Sequence, residues 1–326
     1  MADYININGN NIPIRASDPT NPIVGEIWYN STTNLLKGQA FGTASWASGT
    51  NLPGIRWNTS GAGTATAGLV FGGSTGPALP AFLNTTFEYD GSTWTSAPTT
   101  PISSINMFSA GTQTTAIGGG GLASSGSNST SAFTYNGSTW TGITATPFAT
   151  KGAGGAGTST AAIFYGSDVG PSDNVATRSW NGSSWATEGS LSDSFANGAS
   201  GGPTENTAFA AGAPVPTSST RFETYNGTAW SSGPVLNTAV KNNRGFGSSV
   251  ECLSIGGYNI ITGVEKFDGS SWATTASLGT GRKQFASANN NASGVSNGFV
   301  AGGADGDSSV EEFTDAGPVT QTISSS

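Results

Sequence analysis

Tyr89-Asp90-Gly91-Ser92-Thr93-Trp94 recurs as Tyr135-Asn136-Gly137-Ser138-Thr139-Trp140, Trp180-Asn181-Gly182-Ser183-Ser184-Trp185, Tyr225-Asn226-Gly227-Thr228-Ala229-Trp230 and Phe267-Asp268-Gly269-Ser270-Ser271-Trp272. The closing tryptophans, Trp94, Trp140, Trp185, Trp230 and Trp272, fall 46, 45, 45 and 42 residues apart. A degenerate sixth copy, Phe41-Gly42-Thr43-Ala44-Ser45-Trp46, ends 48 residues before Trp94. Asx-Gly between an aromatic residue and a Trp is a strong short hairpin signal, so each copy predicts an aromatic strand turning through a two-residue type I′ turn into a Trp strand.

Out of phase with these copies runs a second signal, an apolar stretch ending in glycine. It reads Leu69-Val70-Phe71-Gly72-Gly73, Ala116-Ile117-Gly118-Gly119, Ala162-Ile163-Phe164-Tyr165-Gly166, Ala208-Phe209-Ala210-Ala211-Gly212, Leu253-Ser254-Ile255-Gly256-Gly257 and Phe299-Val300-Ala301-Gly302-Gly303. Such runs are too short for helices and read as buried inner strands whose glycines let backbones approach. Gly, Ser, Thr or Asn breaks nearly every ten-residue window, so the class is all-β. A unit of about 45 residues holding four short strands is a propeller blade. After the last Gly-Gly strand a third strand is expected at 310–313, with no Trp strand behind it, while the Trp46 strand has no Gly-Gly strand before it. Joining the two predicts a six-bladed propeller of four-stranded antiparallel blades, closed by the N-terminal strand near Trp46 with no open sheet edge.

The order of Gly-Gly strand, aromatic strand, Asx-Gly turn and Trp strand resembles the kelch repeat, from about Leu35 to Phe313. The chain departs from that pattern where Gly-Gly is eroded at Tyr165-Gly166 and Ala211-Gly212, and in lacking Pro-x-Thr between turn and Trp. The stretch 90–94 is also similar to the sialidase Asp-box, which however carries a residue between Asp and Gly. The kelch resemblance implies the propeller fold and leaves function open.

Residues 1–34 lie outside the repeat and are expected to form a separate docking segment, with 35–326 as the propeller. Ala16-Ser17-Asp18-Pro19-Thr20-Asn21-Pro22-Ile23-Val24-Gly25-Glu26-Ile27-Trp28-Tyr29-Asn30-Ser31-Thr32-Thr33-Asn34 resembles a segment recurrent in tail-fibre and other virion proteins of tailed phages. Ile5, Ile7, Ile12 and Ile14 bracket a Gly9-Asn10-Asn11 turn, and with Trp28 and Tyr29 they are the expected docking residues. The alternative is that this segment packs along the outside of the first blade.

Composition removes several chemistries. The 326 residues contain no His and a single Cys, which excludes an imidazole base, His-built metal sites and an intrachain disulfide. Cys252 reads as a small buried hydrophobe. With 11 Lys+Arg against 19 Asp+Glu, net charge −8 and pI ≈ 4.4, a nucleic-acid partner and attraction to anionic membranes are not expected. Charged residues make up only 9%, yet 9 Trp, 16 Phe and 7 Tyr are spread along the chain, so it reads as folded. No run of 18 apolar residues occurs and Met1–Arg15 lacks a signal-peptide pattern. The expectation is a protein made in a host cytoplasm and carried on a virion, without membrane insertion.

No cofactor, metal or catalytic residue is expected. Galactose-oxidase-like kelch chemistry implies His ligands that this chain lacks, and a sialidase-like site would draw on Arg15, Arg56, Arg178, Arg221, Arg244 and Arg282 alone. Glu88, Glu223, Glu265 and Glu311 recur at one repeat phase and read as structural equivalents. Beyond each Trp strand, Arg56, Lys151, Lys241, Arg244, Arg282 and Lys283 recur in the connection to the next blade, six of the 11 basic residues. Such a collar at the channel mouth would bind an acidic sugar or a carboxylate-bearing partner; alternatively these residues pair with acids of the neighbouring blade. The expected function is a non-enzymatic tail or particle-surface appendage in a multi-copy assembly. Residues 1–34 would attach to other virion proteins and the propeller loops would meet host-surface receptor or glycan. A purely structural capsid or tail decoration is the alternative, and a sugar-converting propeller enzyme a third.

Overall fold

The computed structural model describes residues 12–20, 22–23, 25–76, 81–170, 174–212, 218–288, 295–303 and 307–323, which form two compact units. One holds the described residues up to Ser45 together with those from Asp315 onward; the other is Trp46–Thr314. Among the described residues there is no helix.

The larger unit is β-propeller-like, built from six four-stranded sheets in chain order. Sheet I is Ser60–Thr64, Ala67–Phe71, Thr86–Tyr89 and Trp94–Ala97; sheet II is Phe108–Ala110, Ala116–Gly119, Ala132–Tyr135 and Trp140–Ile143. Sheet III is Gly154–Gly157, Ala162–Tyr165, Thr177–Trp180 and Trp185–Glu188; sheet IV is Ala199–Gly201, Phe209–Ala211, Phe222–Tyr225 and Trp230–Ser232. Sheet V is Arg244–Gly247, Cys252–Ile255, Val264–Phe267 and Trp272–Thr274. Sheet VI is Ala286–Ala288, Gly298–Gly303 and Asp307–Thr314, with its fourth strand, Ser45–Gly49, taken from the start of the unit. A two-stranded ribbon joins Ser104–Ile105 to Leu122–Ala123. The first strand of each sheet lies against the first strand of the next, and Ala286–Ala288 of sheet VI lies against Ser60–Thr64 of sheet I.

The apolar residues are divided among the seams between neighbouring sheets. Leu69 and Phe71 of sheet I pack with Phe133 and Tyr135 of sheet II, and Phe209 and Phe222 of sheet IV with Cys252, Phe267 and Trp272 of sheet V. Truncating such a residue to Ala leaves a cavity and costs about 2–5 kcal/mol. The repeated Trp seals its seam from the rim. Trp140 Nε1 donates to Thr86 Oγ1 of sheet I at 3.0 Å, and Trp230 Nε1 to Thr177 Oγ1 of sheet III at 2.9 Å. Where sheet II offers Ala132 instead of a Thr, Trp185 donates to the Thr144 carbonyl at 2.8 Å. Phe222 occupies the same position in sheet IV, and Trp272 packs edge-on against it with ring centroids 5.0 Å apart. Gly118 fits this scheme because a Cβ there would lie 2.8 Å from the Phe71 ring across the seam.

The Asx-Gly hairpins differ from the expected two-residue turn. Tyr89 pairs directly with Trp94, leaving a four-residue loop, and only the glycine is left-handed, with φ 91° at Gly91 and 88–95° at its four equivalents. The Asx side chain replaces the second strained residue. Asp90 Oδ1 accepts Ser92 N–H at 2.8 Å and Thr93 N–H at 2.7 Å, and Asn136, Asn181, Asn226 and Asp268 repeat the arrangement. These hydrogen bonds hold Asp90 well below the ordinary carboxylate range and bring Asp268 down to about 2. A depressed folded-state value means stability present above the unfolded value of about 4 and lost as pH falls through the folded one. The double variant Asp90→Asn/Asp268→Asn, which copies the native Asn turns, should therefore lose less Tm than the parent between about pH 4 and pH 2. Equal losses in thermal melts across that range would contradict the role of these two carboxylates.

The glutamates separate into two sets. Glu223, Glu265 and Glu311 pair with Ala210, Ser254 and Val300, each two residues before the first glycine closing its glycine-ended run, and accept backbone N–H groups from the connection leaving the preceding sheet: Ser192 at 3.0 Å, Asn237 and Thr238 at 2.8 Å, and Gly279 at 2.6 Å. Glu88 stands one residue later and so faces the other way, accepting the Tyr135 hydroxyl at 2.8 Å, as Glu312 accepts that of Tyr89 at 2.5 Å. Burial, with Glu312 beside it, pushes Tyr89 up to about 12. Glu88 is thus the equivalent of Glu312, not of the other three.

The smaller unit is one sheet in the order Ile14–Arg15, Ile27–Asn30, Leu35–Phe41, Pro318–Thr322, the first pair parallel and the others antiparallel. Asp18 ties it together, accepting Trp28 Nε1 at 3.0 Å, Asn30 Nδ2 at 2.8 Å and Lys37 Nζ at 2.6 Å. The Lys37 contact leads in holding its carboxyl at about 2. The boundary expected after residue 34 moves accordingly. Leu35–Phe41 pairs with Ile27–Asn30 along one side and with Pro318–Thr322 along the other, so it belongs to this sheet rather than to the propeller-like unit.

Candidate functional site

The six collar residues fall into three groups according to their place in the connection between sheets. Arg56 and Arg282 share one repeat position with Ser104, Thr150, Phe195 and Val240, whose side chains are all buried. Its carbonyl accepts the N–H of the second glycine of the preceding Gly-Gly pair, Gly303 to Arg56 at 2.8 Å and Gly257 to Arg282 at 2.8 Å. Arg56, 3% exposed, donates to the Gly72 carbonyl at 2.9 Å and to Thr85 Oγ1 at 2.5 Å, and lies 4.8 Å from the Phe87 ring centroid. Burial brings it down to about 10. Arg282, 0% exposed, is bonded to Gly302, Ser309 and Glu311. Both are therefore internal braces and leave the expected ligand collar.

One residue further on, the side chain turns outward. Lys151 pairs with Asp168 at 2.9 Å, which is the acid pairing weighed as the alternative. Lys241 Nζ and Lys283 Nζ lie 4.3 and 5.9 Å from the ring centroid of Tyr258. Tyr258 is 48% exposed and follows Gly256-Gly257 at the head of the connection between the second and third strands of sheet V. Its N–H donates to the Lys241 carbonyl at 2.8 Å. Two residues on, Ile260 is held left-handed at φ 59°, a conformation costly for a β-branched side chain, with its N–H on the Gly257 carbonyl at 3.0 Å. Stored strain of this kind clusters at functional segments.

Arg244 is the third case. It opens the first strand of sheet V and lines a cavity of about 70 Å³, open to solvent and bordered by the first strands of all six sheets. Two residues before each first strand stands a left-handed residue: Asn58, Asn106, Gly152, Asn197, Asn242 and Gln284, with φ between 52° and 69°. Asparagine tolerates this conformation better than most side chains. The residues are linked head to tail through the backbone. Asn58 N–H donates to Gln284 (2.8 Å), Asn106 to Asn58 (3.0 Å), Gly152 to Asn106 (2.9 Å), Asn197 to Gly152 (2.7 Å) and Gln284 to Asn242 (3.2 Å).

Of the expected docking residues, Ile5 and Ile7 lie outside the described residues. Ile14 is 73% exposed, and Tyr29 is half-buried with its hydroxyl on Asn34 at 3.2 Å. Ile12 is half-buried. Trp28 is 0% exposed and bonded to Asp18, so it is part of the sheet's interior and not of a docking surface. Cys252 is fully buried between sheets IV and V, where burial raises its thiol well above the usual range. Asp307 accepts Ser309 N–H at 2.8 Å, while Asp305 and Gly306 lie outside the described residues.

Sequence reasoning missed Tyr258. Its signal was present: of the six glycine-ended strands, only Leu253–Gly257 is followed directly by an aromatic residue. No family model matches the chain, and no curated protein matches it.

Proposed function

We propose that Trp46–Thr314 is a six-bladed propeller closed by the strand Ser45–Gly49, and that the protein is a non-enzymatic component of a phage particle whose propeller binds host-surface glycan. Support for closure comes from the first strands following one another from sheet I to sheet VI and back to sheet I, and from the head-to-tail backbone bonds at the channel mouth. The virion assignment is supported by the resemblance of residues 16–34 to tailed-phage virion proteins. The attachment unit is the small sheet, in which both ends of the described chain lie.

The observation that carries the binding role is the exposed Tyr258 ring with the Lys241 and Lys283 ammoniums beside it. An aromatic ring gives a sugar an apolar surface to stack on, and neighbouring ammoniums favour an acidic one. The recurring carboxylates Glu88, Glu223, Glu265 and Glu311, the residue type that cleaves glycosides in pairs, are engaged in structural hydrogen bonds, which favours binding over turnover. Purified protein should adsorb to host cells and compete with infection. Tyr258→Ala should weaken adsorption roughly tenfold, the order of 1–1.5 kcal/mol typical of one aromatic contact, with an unchanged Tm. Undiminished adsorption by the variant would remove this site, and a chain abundant on purified particles that neither adsorbs nor competes would favour the purely structural decoration.

A further inference from the structure

Arg178, Arg221, Arg56 and Arg282 all have their guanidinium groups engaged by carboxylates, carbonyls, hydroxyls or aromatic rings of the folded chain. Arg244 does not follow them. Among the described residues it makes one hydrogen bond, from Nη1 to the carbonyl of its neighbour Asn243 at 3.0 Å, and no ion pair. Arg244 lines the cavity, and its guanidinium makes no other hydrogen bond among the described residues.

That cavity suits a small polar guest. Position two of the six first strands alternates Gly61, Ser109, Gly155, Ser200, Gly245 and Ser287, so three short hydroxyl side chains share the wall with glycines. The glycines are required by crowding: a Cβ at Gly61 would lie 3.1 Å from the Ser287 carbonyl oxygen, and one at Gly155 would lie 2.5 Å from that of Ser109. Asn106, 9% exposed, also lines the cavity, and its side-chain carbonyl oxygen has no partner within the protein. Among the described residues Arg244 is the only charged one in the lining, and burial brings its guanidinium down only to about 10, so it stays positive at neutral pH.

We propose that the axial cavity of the Trp46–Thr314 unit is a binding site for a small oxyanion, a carboxylate or one of similar size, received by the fork of Arg244. A planar guanidinium with free N–H groups binds a carboxylate bidentately, and in a confined site such bonds are stronger than in water. The inference is independent of the phage reading and of the Tyr258 site.

The test is a titration of the full chain with ¹³C-formate followed by NMR, and with acetate and inorganic phosphate followed by Tm, at constant ionic strength set with chloride. Saturable binding is expected for at least one of these anions, accompanied by a Tm rise that follows the logarithm of free ligand concentration. Arg244→Gln should abolish the saturable component. Arg244→Lys, which keeps the charge and loses the fork, should weaken it roughly tenfold. The Lys variant and the parent isotherm decide the matter if the Gln variant does not fold. Absence of saturation with all three anions overturns the proposal, as does equal binding by the parent and the Lys and Gln variants, which would mean an adventitious ion only.

Discussion

Replacing Arg282 by methionine is expected to destabilise the Trp46–Thr314 unit by about 3–5 kcal/mol, the usual result of removing one partner from a buried ion pair. The guanidinium is fully buried and donates to the Gly302 carbonyl at 2.8 Å, the Ser309 carbonyl at 2.9 Å and hydroxyl at 2.7 Å, and Glu311 Oε1 at 2.9 Å, with Asp307 3.4 Å away. Methionine fills much of the volume but leaves the nearly buried Glu311 carboxylate without its cationic partner and takes the guanidinium donor from two carbonyls. Glu311 would retain only the Gly279 and Thr280 N–H groups, at 2.6 and 3.1 Å. Arg56→Met provides the contrast. Among the described residues Arg56 has no acidic partner, its Nε is already unbonded, and the Gly72 carbonyl it serves also accepts Thr59 Oγ1 at 3.3 Å. Its loss should cost no more than about 1–2 kcal/mol, a hydrogen-bond effect without a stranded charge. Urea unfolding of both variants checks the pair, and equal losses would mean that the Arg282 network is no stronger than a set of neutral hydrogen bonds.

This contrast also marks how far the sequence could be read. The Trp period and the glycine-ended runs place the second, third and fourth strands of the sheets within a few residues, because hairpin and burial signals are local, whereas the first strands carry no such signal. The N-terminal origin of the fourth strand in sheet VI followed from simple matching of the unpaired copies. Orientation was harder. Arg56 and Arg282 precede Lys151, Lys241 and Lys283 by one repeat position, and in extended chain one residue decides whether a side chain enters the core or leaves it. The same single step separates Glu88 from Glu223, Glu265 and Glu311. The turn geometry escaped because Asp90 and its equivalents close the loop by side-chain hydrogen bonds, which makes a second left-handed residue unnecessary. The domain boundary escaped for a different reason: Leu35–Phe41 is paired with Pro318–Thr322, a contact across nearly the whole chain that no local pattern announces.

Trp46→Ala is the second large effect, about 3 kcal/mol for deleting a packed Trp, and its kinetic signature separates a closing strand from an ordinary one. Trp46 Nε1 donates to the Ala276 carbonyl at 3.0 Å, and its ring lies 5.0 Å from Phe313 and 6.3 Å from Phe246. The equivalent Trp140 meets Phe71 at 4.8 Å and Thr86, in the sheet formed just before its own. Trp46 is separated from Phe313 by 267 residues, so its contacts close a loop spanning nearly the whole unit and are among the least favoured early in folding. If the strand Ser45–Gly49 docks last, the loss falls on unfolding: the unfolding rate rises roughly 100-fold while folding is nearly unchanged. Trp140→Ala, acting within a contiguous pair of sheets, should slow folding measurably as well. Chevron analysis of both variants distinguishes the cases, and an equal slowing of folding by Trp46→Ala would mean that the ends of this unit meet early, before the intervening sheets are complete.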